Sequence, residues 1–244
     1  MGAVTPRVVL VTGGSRGIGA EIVRELAHRD VRVACSYHNS LEAAQALGDE
    51  FPGRIFPVHY ELGDASSAQV ALDQTIAEFG RLTGVVANAG IWAGGRLEAM
   101  DPAEWSRVVN TNIEGVAQVC RASLGPLGES ENASITIVSS VIGLIGGIGD
   151  TAYATAKAGL FGFGRALAKE VAKNRIRVNM LAPGFVETDM TAQVSQNSRD
   201  GISRSILLRR FGLAREVASA AVFLSEDATY CTGSILTVDG GWSI

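Results

Sequence analysis

The sequence predicts a single-domain, doubly wound α/β fold: a seven-stranded parallel sheet with helices on both faces. Three observations predict it. Short apolar runs of strand length alternate with helical stretches along the chain, as parallel strands joined by crossover helices require. No composition break or Pro/Ser-rich linker divides the 244 residues, so residues 1–244 read as one unit. Glycine is in excess, 29 residues, with no collagen period, which calls for tight turns and close backbone approaches.

Val8-Val9-Leu10-Val11 is the first buried-strand run, followed by helical periodicity from Ile18 to Ala27. Val31 to Cys35 is the second strand, Leu41 to Phe51 a helix, Arg54 to Tyr60 the third strand and Ala68 to Phe79 a helix. Gly84-Val85-Val86-Ala87 is the fourth strand, and a long helix runs from Pro102 to about Leu124. Ala133 to Ser139 is the fifth strand, about Ala152 to Lys173 another long helix, and Ile176 to Leu181 the sixth strand. Glu216 to Leu224 is helical and Ser234 to Val238 closes the sheet as its seventh strand. The stretch Thr191 to Arg204 is polar, weakly periodic and placed just after a strand, so about 188–210 reads as a lid or extended excursion.

Composition excludes several functions. Hydrophobic residues at 47% with 19% charged rule out a disordered or solvating chain. A net charge of −4 argues against a nucleic-acid partner, which would call for a basic excess. Met1 to Arg7 carries no apolar segment of a leader, and the apolar stretch Val138 to Ile148 is too short for a bilayer, so no membrane association is expected. Cys35, Cys120 and Cys231 are odd in number and widely spaced, which suits a reducing cytoplasm. Neither they nor His28, His38 and His59 have metal-ligand spacing, so no metal is expected.

Between the first strand and helix lies Thr12-Gly13-Gly14-Ser15-Arg16-Gly17-Ile18-Gly19. A chain turning directly from strand to helix points free amides and the positive helix end outward, making an anion site. Glycines let a pyrophosphate approach the backbone. The spacing is G-x-x-x-G-x-G, not the common G-x-G-x-x-G; the plain alternative is a glycine-rich βα turn without a ligand. A site choosing NAD ordinarily has an acid at the end of the second strand for the ribose 2′-OH. Here that strand runs into Ser36-Tyr37-His38-Asn39, the next acid is Glu42, and Arg16 stands in the loop. An arginine fork suits a 2′-phosphate, so NADP(H) is expected; the alternative is a solvated loop charge.

Tyr153 and Lys157 lie four apart, on one face of a helix. A phenol near pKa ~10 is a poor acid–base group, and a neighbouring ammonium is expected to lower that value towards the useful range. Such a pair is usually an ammonium beside a half-buried ring; its context here is Ser139-Ser140, at the carboxyl end of the fifth strand, where α/β sheets bind ligands.

In chain order, the loop Thr12 to Gly19, Asn88-Ala89-Gly90, Asn112, Ser140, Tyr153-x-x-x-Lys157 and Pro183-Gly184 resemble the short-chain dehydrogenase/reductase family over essentially the whole chain. Within it, Ala182-Pro183-Gly184-Phe185-Val186-Glu187-Thr188-Asp189-Met190, the Tyr153 to Leu160 segment and the ending Val238-Asp239-Gly240-Gly241 look like 3-oxoacyl-[acyl-carrier-protein] reductases and polyketide ketoreductases. Sugar and alcohol dehydrogenases of the family share much of these last matches. The resemblance implies a Rossmann fold and an NADPH-dependent ketone reductase. Tyr153 then gives its proton to the substrate carbonyl as hydride arrives, Lys157 tunes Tyr153 and bonds the nicotinamide ribose, and Ser140 holds the carbonyl oxygen.

Ser140 is preferred to Ser139 because it lies thirteen residues before Tyr153, as the family spacing requires, while Ser139 would face the other side of an extended strand. Asn112 is implied to bend its helix and keep a water linked to Lys157; a helix-interior Asn bonding its own backbone is the alternative. Gly13, Ser15, Arg16, Gly17, Ile18 and Gly19 are implied to hold the pyrophosphate end, Glu61 and Leu62 the adenine, and Asn88, Ala89 and Gly90 the adenosine side. Pro183, Gly184, Val186 and Thr188 are implied to line the nicotinamide. The family usually has Asp at Glu61 and Asn at Ala87.

The resemblance also implies a homotetramer, and the Ala/Gly-rich stretch Ala154 to Ala172, apolar on more than one face, asks for a second helix as cover. Arg204, Arg209, Arg210 and Arg215 form a basic cluster suited to an acidic acyl carrier protein, or a solvated charge run with local pairing. Glu129 and Glu131 stand where carrier-protein reductases tend to be basic, which leaves room for polyketide tailoring. Trp92, Trp105 and Phe185 are candidates for apolar walls, with core or interface packing favoured for Trp105. Two other readings remain: reduction of a free secondary-alcohol, sugar or cyclic ketone substrate, and a non-catalytic NADP-sensing protein.

Overall fold

A computed structural model describes residues 6–192 and 194–244. Residues 1–5, part of the segment read as lacking a leader, and Gln193, within the expected lid, lie outside the described residues. The strands are β1 (Val8–Val11), β2 (Arg32–Tyr37), β3 (Ile55–His59), β4 (Gly84–Ala87), β5 (Ser134–Val138), β6 (Arg177–Pro183), β7 (Val186–Glu187), β8 (Gly212–Leu213) and β9 (Ile235–Val238). Seven form one sheet in the order β3-β2-β1-β4-β5-β6-β9. Every neighbouring pair in it is parallel, in register from Val8↔Arg32 at β1/β2 to Pro183↔Val238 at β6/β9. The doubly wound, seven-stranded parallel fold expected from the sequence is therefore the fold observed.

The uninterrupted apolar runs are explained by two cores, one on each face. Along β1 and β4, Leu10 and Val85 face a core shared with helices α3 (Ala65–Phe79), α4 (Pro102–Gly128) and α6 (Thr151–Val171). Val9, Val11 and Val86 alternate to the other face, packing with α1 (Gly17–His28), α2 (Leu41–Glu50) and α9 (Ala214–Val222). A strand covered on both sides has no position for a polar side chain facing solvent.

The sheet order reverses between β1 and β4, so connections leave in opposite directions there and a crevice opens at the strand carboxyl ends. The glycine loop, Asn88-Ala89-Gly90, Ser139-Ser140 and Pro183-Gly184 all follow strands that end at this edge.

Several elements depart from the sequence reading. The segment between the fifth strand and the following long helix contains a single helical turn, α5 (Ile142–Ile145), that no sequence pattern marked. The expected lid is largely helical: α7 (Asp189–Ala192) and α8 (Gln196–Ser205), the latter capped by Ser195, whose hydroxyl accepts from the Ser198 amide. Neither helix has a buried residue, which is why no apolar period announced them. The β7/β8 pair is two residues long on each side and leaves no pattern to read. At α9 the chain continues into a π-turn, Phe223–Asp227. No described helix is long and apolar enough to cross a membrane.

Helix α5 crosses α6 where only glycine fits. A Cβ on Gly143 would stand 2.7 Å from both the Ala158 nitrogen and the Lys157 carbonyl carbon, which are backbone atoms unable to turn away. Gly143→Ala should lower stability by about 1–3 kcal/mol, read as an earlier urea midpoint at unchanged m-value. An unchanged midpoint would show that α5 is free to lift off α6.

Candidate active site

The glycine loop is built by close approach. Gly13 and Gly17 have left-handed backbone, φ +62° and +55°. A Cβ on Gly19 would lie 2.0 Å from the Gly13 carbonyl oxygen, so the loop can close over α1 only with glycine there. Neighbouring strands fix it: the Gly13 amide donates to Ser36 Oγ at 2.9 Å and the Gly14 amide to the Ser36 carbonyl at 2.8 Å. Thr12 Oγ1 accepts from the amides of Asn88 (2.9 Å) and Ala89 (3.0 Å), while Asn88 Nδ2 donates to the carbonyls of Thr12 (3.0 Å) and Gly13 (3.2 Å). Thr12 and Ser36 were not singled out from sequence, yet they tie the loop to β4 and β2; the one signal for them is a hydroxyl at a strand end.

The backbone bond from the Ala20 amide to the Arg16 carbonyl, 3.2 Å, opens α1. Amides ahead of it lack intrahelical acceptors, and Arg16, the N-cap, places no side-chain atom on them. Arg16 is exposed and forms no ion pair among the described residues. Thr188, from the segment after β7, brings its Cγ2 to 3.5 Å from a Cβ position on Gly17, so the far end of the chain closes on this loop. The cradle of bare glycine backbone and free amides, with a guanidinium beside it, fits a dinucleotide pyrophosphate with an added phosphate.

The remaining residues implied for a dinucleotide are spread along the same edge. Glu61 and Leu62 follow β3; the Glu61 amide donates to Ser67 Oγ at 2.8 Å, and Leu62 packs on α4 against Gly115. Pro183 ends β6, and the Gly184 amide donates to the Val238 carbonyl at 3.0 Å, so close to β9 that a Cβ would reach Asp239 Cα at 2.8 Å. Val186 is buried in β7, its carbonyl accepting from Thr191 Oγ1 at 2.6 Å. Ser15 and Ile18 are half-buried in the loop. Gly90 lies against Lys157, a Cβ there standing 3.4 Å from its Nζ.

Helix α6 brings Tyr153 and Lys157 to the ends of β5 and β6. Lys157 is 3% exposed, and its Nζ donates to the Val138 carbonyl at 3.0 Å, 5.5 Å from the centre of the Tyr153 ring. Ser139 is not turned away from α6: it continues the alternation that points Ile135 and Ile137 to that face, its amide still donates to the Leu181 carbonyl of β6, and its Oγ donates to the Lys157 carbonyl at 2.7 Å. Ser140 Oγ accepts from the Ile142 amide at 3.2 Å, and its hydroxyl lies near enough to Tyr153 to oppose part of the rise in the phenol's pKa. Asn112, fully buried in α4, donates through Nδ2 to its own helix at Val108 O (2.8 Å) and to Ile91 O (2.9 Å), and its Oδ1 accepts from Ile91 N at 3.1 Å. It thus makes the local backbone bond and also fastens the chain after Gly90 to α4.

The electrostatics correct one expectation. Burial pushes the Tyr153 hydroxyl up to about 12, assisted by the charge of Asp150 and opposed by the nearby Ser140 hydroxyl. Burial pulls Lys157 down to about 8. The ammonium was expected to lower the phenol; among this chain's own groups, desolvation wins, because Nζ is directed at a backbone carbonyl. The Arg210 guanidinium, one member of the expected docking cluster, is spent on Glu216 at 2.7 and 2.8 Å, which holds that carboxyl down at about 2. Arg209 Nη1 donates to the Arg204 carbonyl. Trp105 Nε1 donates to Thr151 Oγ1 at 3.3 Å, and Phe185 packs with Phe211 and Trp242.

A family model described as enoyl-(acyl carrier protein) reductase matches residues 13–243. The chain is 40% identical over 247 residues to the 3-oxoacyl-[acyl-carrier-protein] reductase FabG of Chlamydia trachomatis, covering 98% of each. Among solved structures, a mutant Serratia marcescens short-chain dehydrogenase/reductase superposes with TM-score 0.91 at 29% identity, over 98% of both chains. A blue fluorescent protein from a metagenomic library, in complex with NADPH, superposes with TM-score 0.92 at 31% identity and the same coverage.

The depressed value of Lys157 has a stability consequence with a definite sign. The unfolded lysine titrates at 10.5 and the folded one at about 8, so between them the unfolded chain holds the extra proton and stability rises with pH. From about pH 8 to 10 the unfolding free energy should therefore climb relative to Lys157→Met, which lacks the titration. Parallel curves for the two proteins would contradict a buried, titrating Lys157.

Proposed function

Since the chain belongs to the short-chain dehydrogenase/reductase family, we propose that it is an NADPH-dependent ketone reductase acting on a β-ketoacyl thioester carried by an acyl carrier protein. The observation that carries this reading is the grouping of buried Ser140 and Lys157 with half-buried Tyr153 at the carboxyl ends of β5 and β6, facing the crevice of the glycine loop. NADPH, when bound, supplies the hydride. Gly13, Ser15, Gly17, Ile18 and Gly19 would cradle its pyrophosphate, Arg16 its 2′-phosphate, and Asn88, Ala89, Gly90, Glu61 and Leu62 its adenosine. Pro183, Gly184, Val186 and Thr188 would line its nicotinamide.

The reaction itself falls to three side chains. Ser140 would hold the ketone oxygen beside the Tyr153 hydroxyl, whose ionisation it already influences. Tyr153 gives its proton to that oxygen as negative charge develops there. Pushed up to about 12, the phenol keeps its proton at neutral pH until negative charge develops on the ketone oxygen. Lys157, with a value near 8, stands in reach to stabilise the phenolate left behind and to return a proton. Asn112 would hold the water that links Lys157 to solvent, its Oδ1 keeping a lone pair beyond the Ile91 bond.

Arg204, Arg209 and Arg215 remain for an acidic carrier, since Arg210 is committed to Glu216. The acidic turn with Glu129 and Glu131 supports a specialised role such as polyketide tailoring beside fatty-acid synthesis. Helix α6 leaves Ala158, Gly159, Gly162 and Ala166 exposed, a small-residue face suited to a second copy in a homotetramer. We read residues 1–244 as one catalytic domain with α7 and α8 as its lid, working in the cytoplasm.

Tyr153→Phe should leave NADPH affinity within about twofold while lowering kcat by roughly 10²–10⁴; retained turnover would remove the proton-donor role. Arg16→Ala should weaken NADPH by roughly tenfold and leave NADH nearly unaffected, measured by fluorescence titration. Equal losses would mean that the 2′-phosphate is read elsewhere.

A further inference from the structure

Asp150 is the N-cap of α6 but does not cap it. A carboxylate there ordinarily accepts from a first-turn amide; the Asp150 side chain makes no such bond. It turns to the loop after β4, where Trp92 Nε1 donates to Oδ1 at 2.8 Å. The two loops are joined again by the Gly95 amide and the Gly149 carbonyl, 2.8 Å apart. The other oxygen, Oδ2, occupies space that only glycine leaves open: a Cβ on Gly147 would stand 2.6 Å from it.

The carboxylate has no countercharge. No Lys, Arg or His among the described residues forms an ion pair with Asp150. On the facing loop Arg96 and Glu98 are exposed and unpaired with it, and Lys157 directs its Nζ to the Val138 carbonyl. Asp150 lies three residues before Tyr153, close enough for its charge to make the phenol harder to ionise. Around it the rim is apolar, with Trp92, Leu144, Ile145 and Ile148 exposed.

We infer that Asp150, held in place by Trp92, makes the site select uncharged ketones against ionised β-keto acids. The inference rests on the proposed reduction at Tyr153. Asp150 does not touch the reacting atoms; it is a positioning and specificity residue that acts by like-charge repulsion at the solvent-accessible rim of the site.

The test compares NADPH oxidation with ethyl acetoacetate and with acetoacetate, which share one ketone and differ in charge. Asp150→Asn keeps an acceptor for the Trp92 N–H and removes the charge. It should raise kcat/KM for acetoacetate relative to the ester by roughly tenfold, through KM rather than kcat. Asp150→Glu, which keeps the charge, should preserve the original preference, and added salt should narrow that preference in the unsubstituted protein. An unchanged ester-to-acid ratio in Asp150→Asn, with the ester still reduced, overturns the selection by Asp150 and leaves the proposed reduction standing. If the unsubstituted protein oxidises NADPH with neither compound nor with a β-ketoacyl thioester, the proposed reduction falls and this inference falls with it.

Discussion

Helix α6 is fastened to the end of β5 by two short bonds made by neighbouring groups. Ser139 Oγ reaches the Lys157 carbonyl, and Lys157 Nζ reaches the Val138 carbonyl. Burying a lysine disfavours its charge, so the site holds a group that no packing argument alone would place there. What the burial secures is position: with Lys157 pinned, Tyr153 one turn earlier meets Ser140, and the three groups share one desolvated corner. Loss of either bond would let α6 slide along β5 and separate the hydroxyls.

A second constraint acts on the other side of the crevice. The loop after β1 closes through backbone contacts that exclude a side chain at Gly19, and its amides and carbonyls are held by Thr12, Ser36 and Asn88. Its outward amides are therefore set in place before any anion arrives, and little ordering remains to oppose binding. Asn112 connects the halves: rooted in α4, it holds Ile91, and the backbone just before it runs past Lys157 at Gly90. Pyrophosphate cradle and proton donor are thus parts of one rigid framework.

The sheet was legible because its central strands are buried on two faces, which leaves runs such as Val8 to Val11 with no polar residue. The helices over those faces were legible for the same reason. The helices α7 and α8 within the expected 188–210 excursion were not, because α8 buries nothing and is held by a cap and polar contacts that carry no period. The site was legible where spacing alone fixes geometry, as for Tyr153 and Lys157 on consecutive turns. It was misread where the outcome depends on depth: the phenol was expected to fall, yet burial raises it. Ser139 and Ser140 both meet α6 because the alternation of Ile135 and Ile137 holds at Ser139 and breaks only at Ser140, where the chain leaves the sheet. The Trp92–Asp150 bond joins residues 58 apart, and no local pattern announces it.

The most direct measurement of the account is isotope transfer. The protein is incubated with NADPH deuterated at the transferable position and a β-ketoacyl thioester, and the product is analysed by mass spectrometry. The account predicts one deuterium on the carbinol carbon of a β-hydroxyacyl thioester for each NADPH consumed. NADPH bound without any labelled alcohol would contradict it and leave a chain that holds the dinucleotide without reducing a ketone.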